Sequence, residues 1–146
     1  MKTALFPGSF NPFTKGHKSI VDRTIARIAD RVVIAIGVNN EKKHQRSIKE
    51  RMDAIRKVYE NNPNVIVTSY EGLTTDYAQE IKADFIVRGI RSIKDFEFER
   101  DIAEVNRRLT GIETILLITE HEYSHISSTI VRELQSYGKD VSEFLP

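Results

Sequence analysis

Five short stretches of the chain are almost continuously apolar, and the gaps between them each leave room for one helix. Thr3–Phe6 breaks at Pro7-Gly8, and Val32–Val38, Val65–Val67, Phe85–Val87 and Ile115–Ile118 follow. They are rich in β-branched and aliphatic residues and do not alternate with polar ones, as expected of strands covered on both faces. The segments between them carry helical spacing instead. Ile20, Val21, Ile25 and Ile28 share one face, Met52, Ile55 and Val58 or Tyr59 the next, and Ile130, Val131 and Leu134 the last. Phe98, Ile102, Val105 and Leu109 recur at i, i+4, i+7 and i+11, which predicts an inward stripe with Glu99, Arg100, Arg107 and Arg108 left to solvent. Leu73, Tyr77, Ala78 and Ile81 give a weaker helical pattern within 71–83. Ser47-Ile48-Lys49-Glu50 reads as a capping box that starts the second helix.

Strict alternation of strand and helix with short connections predicts an α/β fold. The expectation is a single domain over 1–146, a Rossmann-like five-stranded parallel sheet with helices on both faces and right-handed crossovers. Ligands of such sheets bind beyond the carboxyl ends of the strands. That directs attention to the segments after Phe6, Val38, Val67, Val87 and Ile118.

Composition narrows the chemistry. The 22 Lys and Arg nearly cancel the 21 Asp and Glu, leaving a net charge of +1. Binding to nucleic acid by phosphate neutralisation is therefore not expected. Cysteine is absent, which removes disulfides, thiolate zinc sites and cysteine nucleophiles together. No apolar run approaches the ~18 residues of a membrane span, and the start has no signal-peptide pattern. A cytoplasmic protein with no membrane partner is the expectation.

The first candidate loop, Pro7–His17, is long for a strand-to-helix connection. Its end, Thr14-Lys15-Gly16-His17, opens a helix, where free amides and the helix dipole favour an anion, and Ser9 adds a hydroxyl. A plain turn shaped by glycine and proline, with His17 as a cap, is the simpler account of this loop alone. The other loops change that balance. They supply Lys42 within Asn39–Lys43, Arg88 and Arg91 within Arg88-Gly89-Ile90-Arg91, and the hydroxyl-rich Ile126-Ser127-Ser128-Thr129. Gathered on one sheet edge, these groups make a cleft for a multiply charged phosphate ligand. Neither the P-loop nor the dinucleotide glycine fingerprint is present. His121-Glu122-Tyr123-Ser124-His125 matches the zinc-protease pattern HExxH, but it follows a strand directly, and zinc binding needs its two imidazoles one helical turn apart.

Phe6-Pro7-Gly8-Ser9-Phe10-Asn11-Pro12, Thr14-x-Gly16-His17 and Ile126-Ser127-Ser128-Thr129-x-x-Arg132 resemble the nucleotidyltransferase superfamily with HxGH and ISSTxxR motifs. Within it, Arg88-Gly89-Ile90-Arg91, Asp95-Phe96-Glu97-Phe98-Glu99 and the ending Val141–Pro146 are similar to bacterial phosphopantetheine adenylyltransferases, over essentially the whole chain. The resemblance implies transfer of the adenylyl group of ATP to 4′-phosphopantetheine. His17, Lys42 and Arg91 would serve catalysis. Ser9, Lys42, Thr74 and Arg88 would bind the acceptor. ATP would be held by Ser9, Phe10, His17, Gly89, Ile90, Arg91, Glu99, Tyr123, Ser124, His125, Ile126, Ser127, Ser128 and Thr129. The family uses magnesium with ATP and assembles as a homohexamer, and no metal ligand is expected among these residues. The sequence departs from the common pattern at Asn11, Thr14, Phe98, His125 and Thr129. A sister nucleotidyltransferase with another phosphate acceptor, and a non-catalytic nucleotide-binding module, remain as alternatives.

Overall fold

In a computed structural model, which describes residues 1–38 and 46–146, the chain forms one five-stranded sheet. The strands are β1 (Thr3–Gly8), β2 (Arg31–Gly37), β3 (Val65–Tyr70), β4 (Phe85–Ile90) and β5 (Glu113–Ile118). The helices are α1 (Lys15–Arg27), α2 (Ile48–Val58), α3 (Thr74–Glu80), α4 (Ile93–Thr110) and α5 (Ser128–Ser136), with 3-10 turns at His121–Tyr123 and Ser142–Phe144. All strand pairs are parallel, in the order β3-β2-β1-β4-β5. The alternation of strand and helix is thus as expected.

Successive residues of a strand face opposite sides of the sheet, and here both sides are core. Ala4, Phe6, Val32, Ile34, Ile36, Val67 and Val87 join Ile20 and Val21 of α1 and Ile55 of α2 on one side. Leu5, Val33, Ala35 and Ile86 meet Ala78 of α3 on the other. That two-sided burial is why the strands read as unbroken apolar runs. The sheet also extends further than those runs. Pro7-Gly8, Thr68–Tyr70 and Arg88–Ile90 continue the ladders, the last pairing with Leu116–Ile118. Arg88, Gly89 and Ile90, expected in a loop, are therefore strand residues. Polar side chains end the apolar run without ending the backbone pairing.

The prediction for α4 needs a larger correction. Phe98, Ile102, Val105 and Leu109 are exposed, and the residue of this helix that is buried is Glu99. Its half-buried side is instead small and polar and meets α3: Thr75 Oγ1 lies 2.5 Å from Thr110 Oγ1 and 3.4 Å from the Asn106 carbonyl. The apolar spacing was real but faces outward. Likewise Leu73 is exposed and precedes α3 as its N-cap, and Ile130 of α5 is exposed while Val131 is buried.

The capping signals resolve unevenly. Ser47 Oγ accepts the Glu50 amide at 3.1 Å, as its position predicts. Ser92 and Ser127 do the same for α4 and α5. Thr14 caps α1 with a histidine as its reciprocal partner.

Candidate active site

Strand order reverses at β1 and β4: the chain builds outward from β1 through β2 to β3, then restarts on the other side with β4. The connections leaving β1 and β4 must diverge there, and a crevice opens beyond their carboxyl ends. A cleft of about 320 Å³ occupies that position, lined by Gly8, Ser9, Phe10, Thr14, His17, Arg88, Gly89, Arg91, Phe98, Glu99 and Ile126–Ser128 among others. A second, narrower cleft of about 160 Å³ runs between Tyr70, Thr74, Ile86, Arg88, Glu99, Ile102, Ala103 and Asn106. Gly8, Arg88 and Glu99 line both, so the two clefts share a wall.

His17 has a defined role in the first cleft. Its Nδ1 accepts the Thr14 backbone N–H at 2.9 Å, while the His17 amide donates to Thr14 Oγ1 at 3.4 Å. A nitrogen that accepts a backbone amide carries no proton, so the neutral ring is the Nε2–H tautomer. Phe10 meets the imidazole edge-on with centroids 5.0 Å apart, and Phe13 stacks on it at 5.4 Å. Burial among these rings, and after it the charges of Arg88 and Arg91, lower the pKa of His17 from 6.5 to about 3. The ring is thus a neutral donor, aimed by its own helix cap. In the folded chain, before any ligand arrives, neutrality prevails.

Close approach of α1 to β4 makes this placement possible. A Cβ on Gly89 would stand 3.0 Å from Ile20 Cγ1, and Ile20 is itself buried. Glycine at position 89 lets the first turn of α1, with His17, lie over the strand end that carries Arg88.

The long first loop is gripped from three elements. Arg88 of β4 donates Nη1 to the Pro7 carbonyl at 2.5 Å, Arg51 of α2 donates Nη1 to Ser9 O at 2.7 Å, and Arg132 of α5 donates Nη1 to Asn11 O at 2.6 Å. Every second carbonyl thus accepts a guanidinium. Ser128 Oγ adds a bond to Pro12 O at 2.7 Å. Within this grip Phe10 adopts a left-handed φ of 47°. Such a backbone persists where its surroundings over-determine it. Arg51 was not among the predicted site residues. It is 3% exposed, an unusual state for an arginine, but its spacing within α2 gives no hint that its partner lies 42 residues away.

The remaining predicted residues fall into three groups. Arg91 faces the first cleft, anchored by Asp95, whose Oδ2 accepts its backbone N–H at 3.0 Å and lies 3.3 Å from its Nε. Ile126, Ser127 and Ser128 line the same cleft; Ser127 is spent on capping α5 and Ser128 on the first loop. Thr74 stands in the second cleft, its Oγ1 2.7 Å from the Tyr70 hydroxyl. Tyr123 and Ser124 belong to the 3-10 turn and its end, with His125 exposed beyond it, and Thr129 is exposed on α5, where its Oγ1 accepts from Arg132 Nη2 at 3.3 Å. Ile90 ends β4, its carbonyl accepting the Thr119 amide. Lys42 lies outside the described residues. Glu99, expected on the nucleotide, is buried and holds Arg88. The HExxH segment is not an α-helix: His121–Tyr123 form a 3-10 turn that closes at Ser124, so the two imidazoles do not stack one α-turn apart.

This arrangement has known counterparts. A family model described as cytidylyltransferase-like matches residues 5–134. Phosphopantetheine adenylyltransferase of Bacteroides fragilis is 54% identical over 146 residues, covering 100% of this chain and 97% of the relative. The enzymes of the same name from Bacteroides thetaiotaomicron and Flavobacterium psychrophilum are 53% and 49% identical, each over 100% of this chain and 96% of the relative. The chain belongs to the phosphopantetheine adenylyltransferase family. It is therefore a nucleotidyltransferase, and the cleft at the strand-order reversal is where a member of this family is expected to work.

Proposed function

We propose that the protein transfers the adenylyl group of ATP to 4′-phosphopantetheine, giving dephospho-coenzyme A and pyrophosphate, a step of coenzyme A biosynthesis. The observation that carries this reading is the pair of clefts meeting at Gly8, Arg88 and Glu99. ATP occupies the larger one, between His17, Arg91 and the start of α5. The pantetheine arm enters the narrower one past Tyr70 and Thr74, so the acceptor phosphate reaches the shared wall. Lys42 is assigned to that phosphate by resemblance.

An oxygen of the acceptor phosphate attacks the α-phosphorus of ATP in line. The new P–O bond forms as the bond from the α-phosphorus to the bridging oxygen breaks, and pyrophosphate leaves. With a second pKa near 6, the acceptor is already mostly dianionic at neutral pH and needs no base. Nothing among the described cleft residues is arranged as an activated nucleophile. His17 Nδ1 already accepts a backbone amide, and the Ser127 and Ser128 hydroxyls hold the α5 terminus and the first loop. A covalent enzyme intermediate has no part in this reading. The chain contributes alignment and charge stabilisation, with His17 Nε2–H and the Arg91 guanidinium meeting the charge that develops at phosphorus.

Magnesium is expected with the nucleotide. Among the described residues no three His, Cys, Asp or Glu side chains cluster as ligands. The described residues thus offer no cage for the ion, which would arrive on the ATP phosphates, and no step here is routed through it. Among the described residues no helix is long and apolar enough to cross a membrane. Assembly with further copies, a homohexamer by family resemblance, is part of the same proposal, and the exposed apolar stripe of α4 supports it.

The test is a pyrophosphate-release assay with Mg-ATP and 4′-phosphopantetheine, beside nicotinate mononucleotide, glycerol 3-phosphate and CTP as alternative donor. Release confined to ATP with phosphopantetheine is expected. Release with another acceptor alone would move the chain to a sister activity, and silence with every pair would leave a binding module.

A further inference from the structure

Arg88 and Glu99 form the tightest ion pair of the site, and its geometry leaves a definite remainder. Arg88 Nε donates to Glu99 Oε2 at 2.9 Å and Oε1 at 3.1 Å, and Nη2 donates to Oε1 at 2.7 Å. Nη1 donates to the Pro7 carbonyl. A guanidinium carries five N–H groups in a fixed plane. With Nε–H, one hydrogen of Nη2 and one of Nη1 engaged, one hydrogen remains on each terminal nitrogen. A terminal pair of that kind matches two oxygens of a phosphate.

Glu99 itself has little left to offer a ligand. It is 6% exposed, and both of its oxygens accept from Arg88. The pair forms the wall common to the two clefts. An unanchored arginine would sample several rotamers across that opening and lose entropy on binding. Glu99 fixes it in one.

We infer that Glu99 is a positioning residue, which clamps the side edge of the Arg88 guanidinium so that its remaining donors present a preformed seat for the acceptor's phosphate. Glu99 then acts on the acceptor through Arg88. This rests on the adenylyl-transfer reading above. It also separates geometry from charge. If Glu99 merely offset the charge of Arg88, removing its negative charge would tighten phosphate binding. As a clamp, its removal loosens that binding.

The experiment compares wild type, Glu99→Gln and Glu99→Asp by calorimetric binding of 4′-phosphopantetheine, of pantetheine without its phosphate, and of ATP. Steady-state kinetics accompany it, and circular dichroism confirms folded protein. In Glu99→Gln the affinity for phosphopantetheine should fall by about tenfold or more, with pantetheine and ATP unchanged within about twofold. The acceptor KM should rise correspondingly. Glu99→Asp, which keeps the charge on a shorter arm, should fall between. Tighter phosphopantetheine binding in Glu99→Gln would overturn the clamp, as would equal losses for phosphopantetheine and pantetheine. A selective loss of ATP affinity would instead make Glu99 a nucleotide ligand. Wild-type protein that binds neither acceptor would be a failure of the adenylyl-transfer reading, which no outcome among the variants imitates. If Glu99→Gln does not fold, the folded Glu99→Asp carries the same comparison.

Discussion

At the scale of single residues, His17 shows how much of a side chain's chemistry is set by its backbone neighbours. Thr14 fixes the tautomer through its amide, Phe10 meets the ring edge-on and Phe13 stacks on it, and the two arginines oppose protonation. His17→Asn should lower kcat about a hundredfold to a thousandfold and change ATP affinity much less; an equal loss in both would make His17 an anchor. The same geometry fixes a pH dependence. The unfolded chain takes up a proton on His17 near 6.5, but the folded chain resists until about 3. Neutral His17 therefore contributes stability above 6.5 that is lost as pH falls through that interval, because the unfolded state then binds more protons. Denaturant midpoints of wild type should fall relative to His17→Asn between those pH values, and parallel curves would contradict the burial. His17 was legible in the sequence because a histidine directly after glycine at a helix start is a local signal. Arg51 and the burial of Glu99 against Arg88 were not. Both depend on partners supplied by distant elements, and a buried charge on a helix looks in sequence like any solvated one.

Elements place these residues, and their packing carries its own consequences. The five strands and five helices were readable because both faces of the sheet are core, which makes periodicity switch cleanly between strand and helix. Strand ends were less so, since Arg88–Ile90 stay in the ladder after the apolar run has ended. The joint between α1 and β4 depends on Gly89. Gly89→Val should force Ile20 out of its place and cost about 1–3 kcal/mol, read as a lower denaturant midpoint. An unchanged midpoint would show that α1 can retreat without cost. The grip on the first loop can be tested from α2. Arg51→Ala leaves the Ser9 carbonyl without its guanidinium donor, at about 1.5–3 kcal/mol for a lost hydrogen bond to a charged group. ATP affinity should weaken with it as Phe10 and Ser9 lose their fixed placement. Stability lost without any change in ATP binding would make Arg51 structural only.

For the whole molecule, α4 is the element whose sequence pattern misled most. Its stripe of Phe98, Ile102, Val105 and Leu109 is exposed, with Phe98 lining the first cleft and Ile102 the second, while the half-buried positions Ala103, Asn106 and Thr110 are small or polar. Apolar spacing identifies a face to be covered, but it does not say whether the cover comes from the same chain. With copies of the chain as the cover, Val105→Glu with Leu109→Glu should convert an oligomer to monomers in sedimentation, where an unchanged mass would place the interface elsewhere. In the proposed reaction the strand-order reversal, the two clefts and their shared wall of Arg88 and Glu99 bring two phosphates into line. The most direct test of that claim is the stereochemical course at the α-phosphorus. One diastereomer of ATP carrying sulfur on that phosphorus would be turned over with 4′-phosphopantetheine and the product's configuration determined. Direct attack predicts dephospho-coenzyme A with inverted configuration. Retention would require a covalent intermediate and contradict the mechanism, and absence of the product would contradict the assignment of the acceptor.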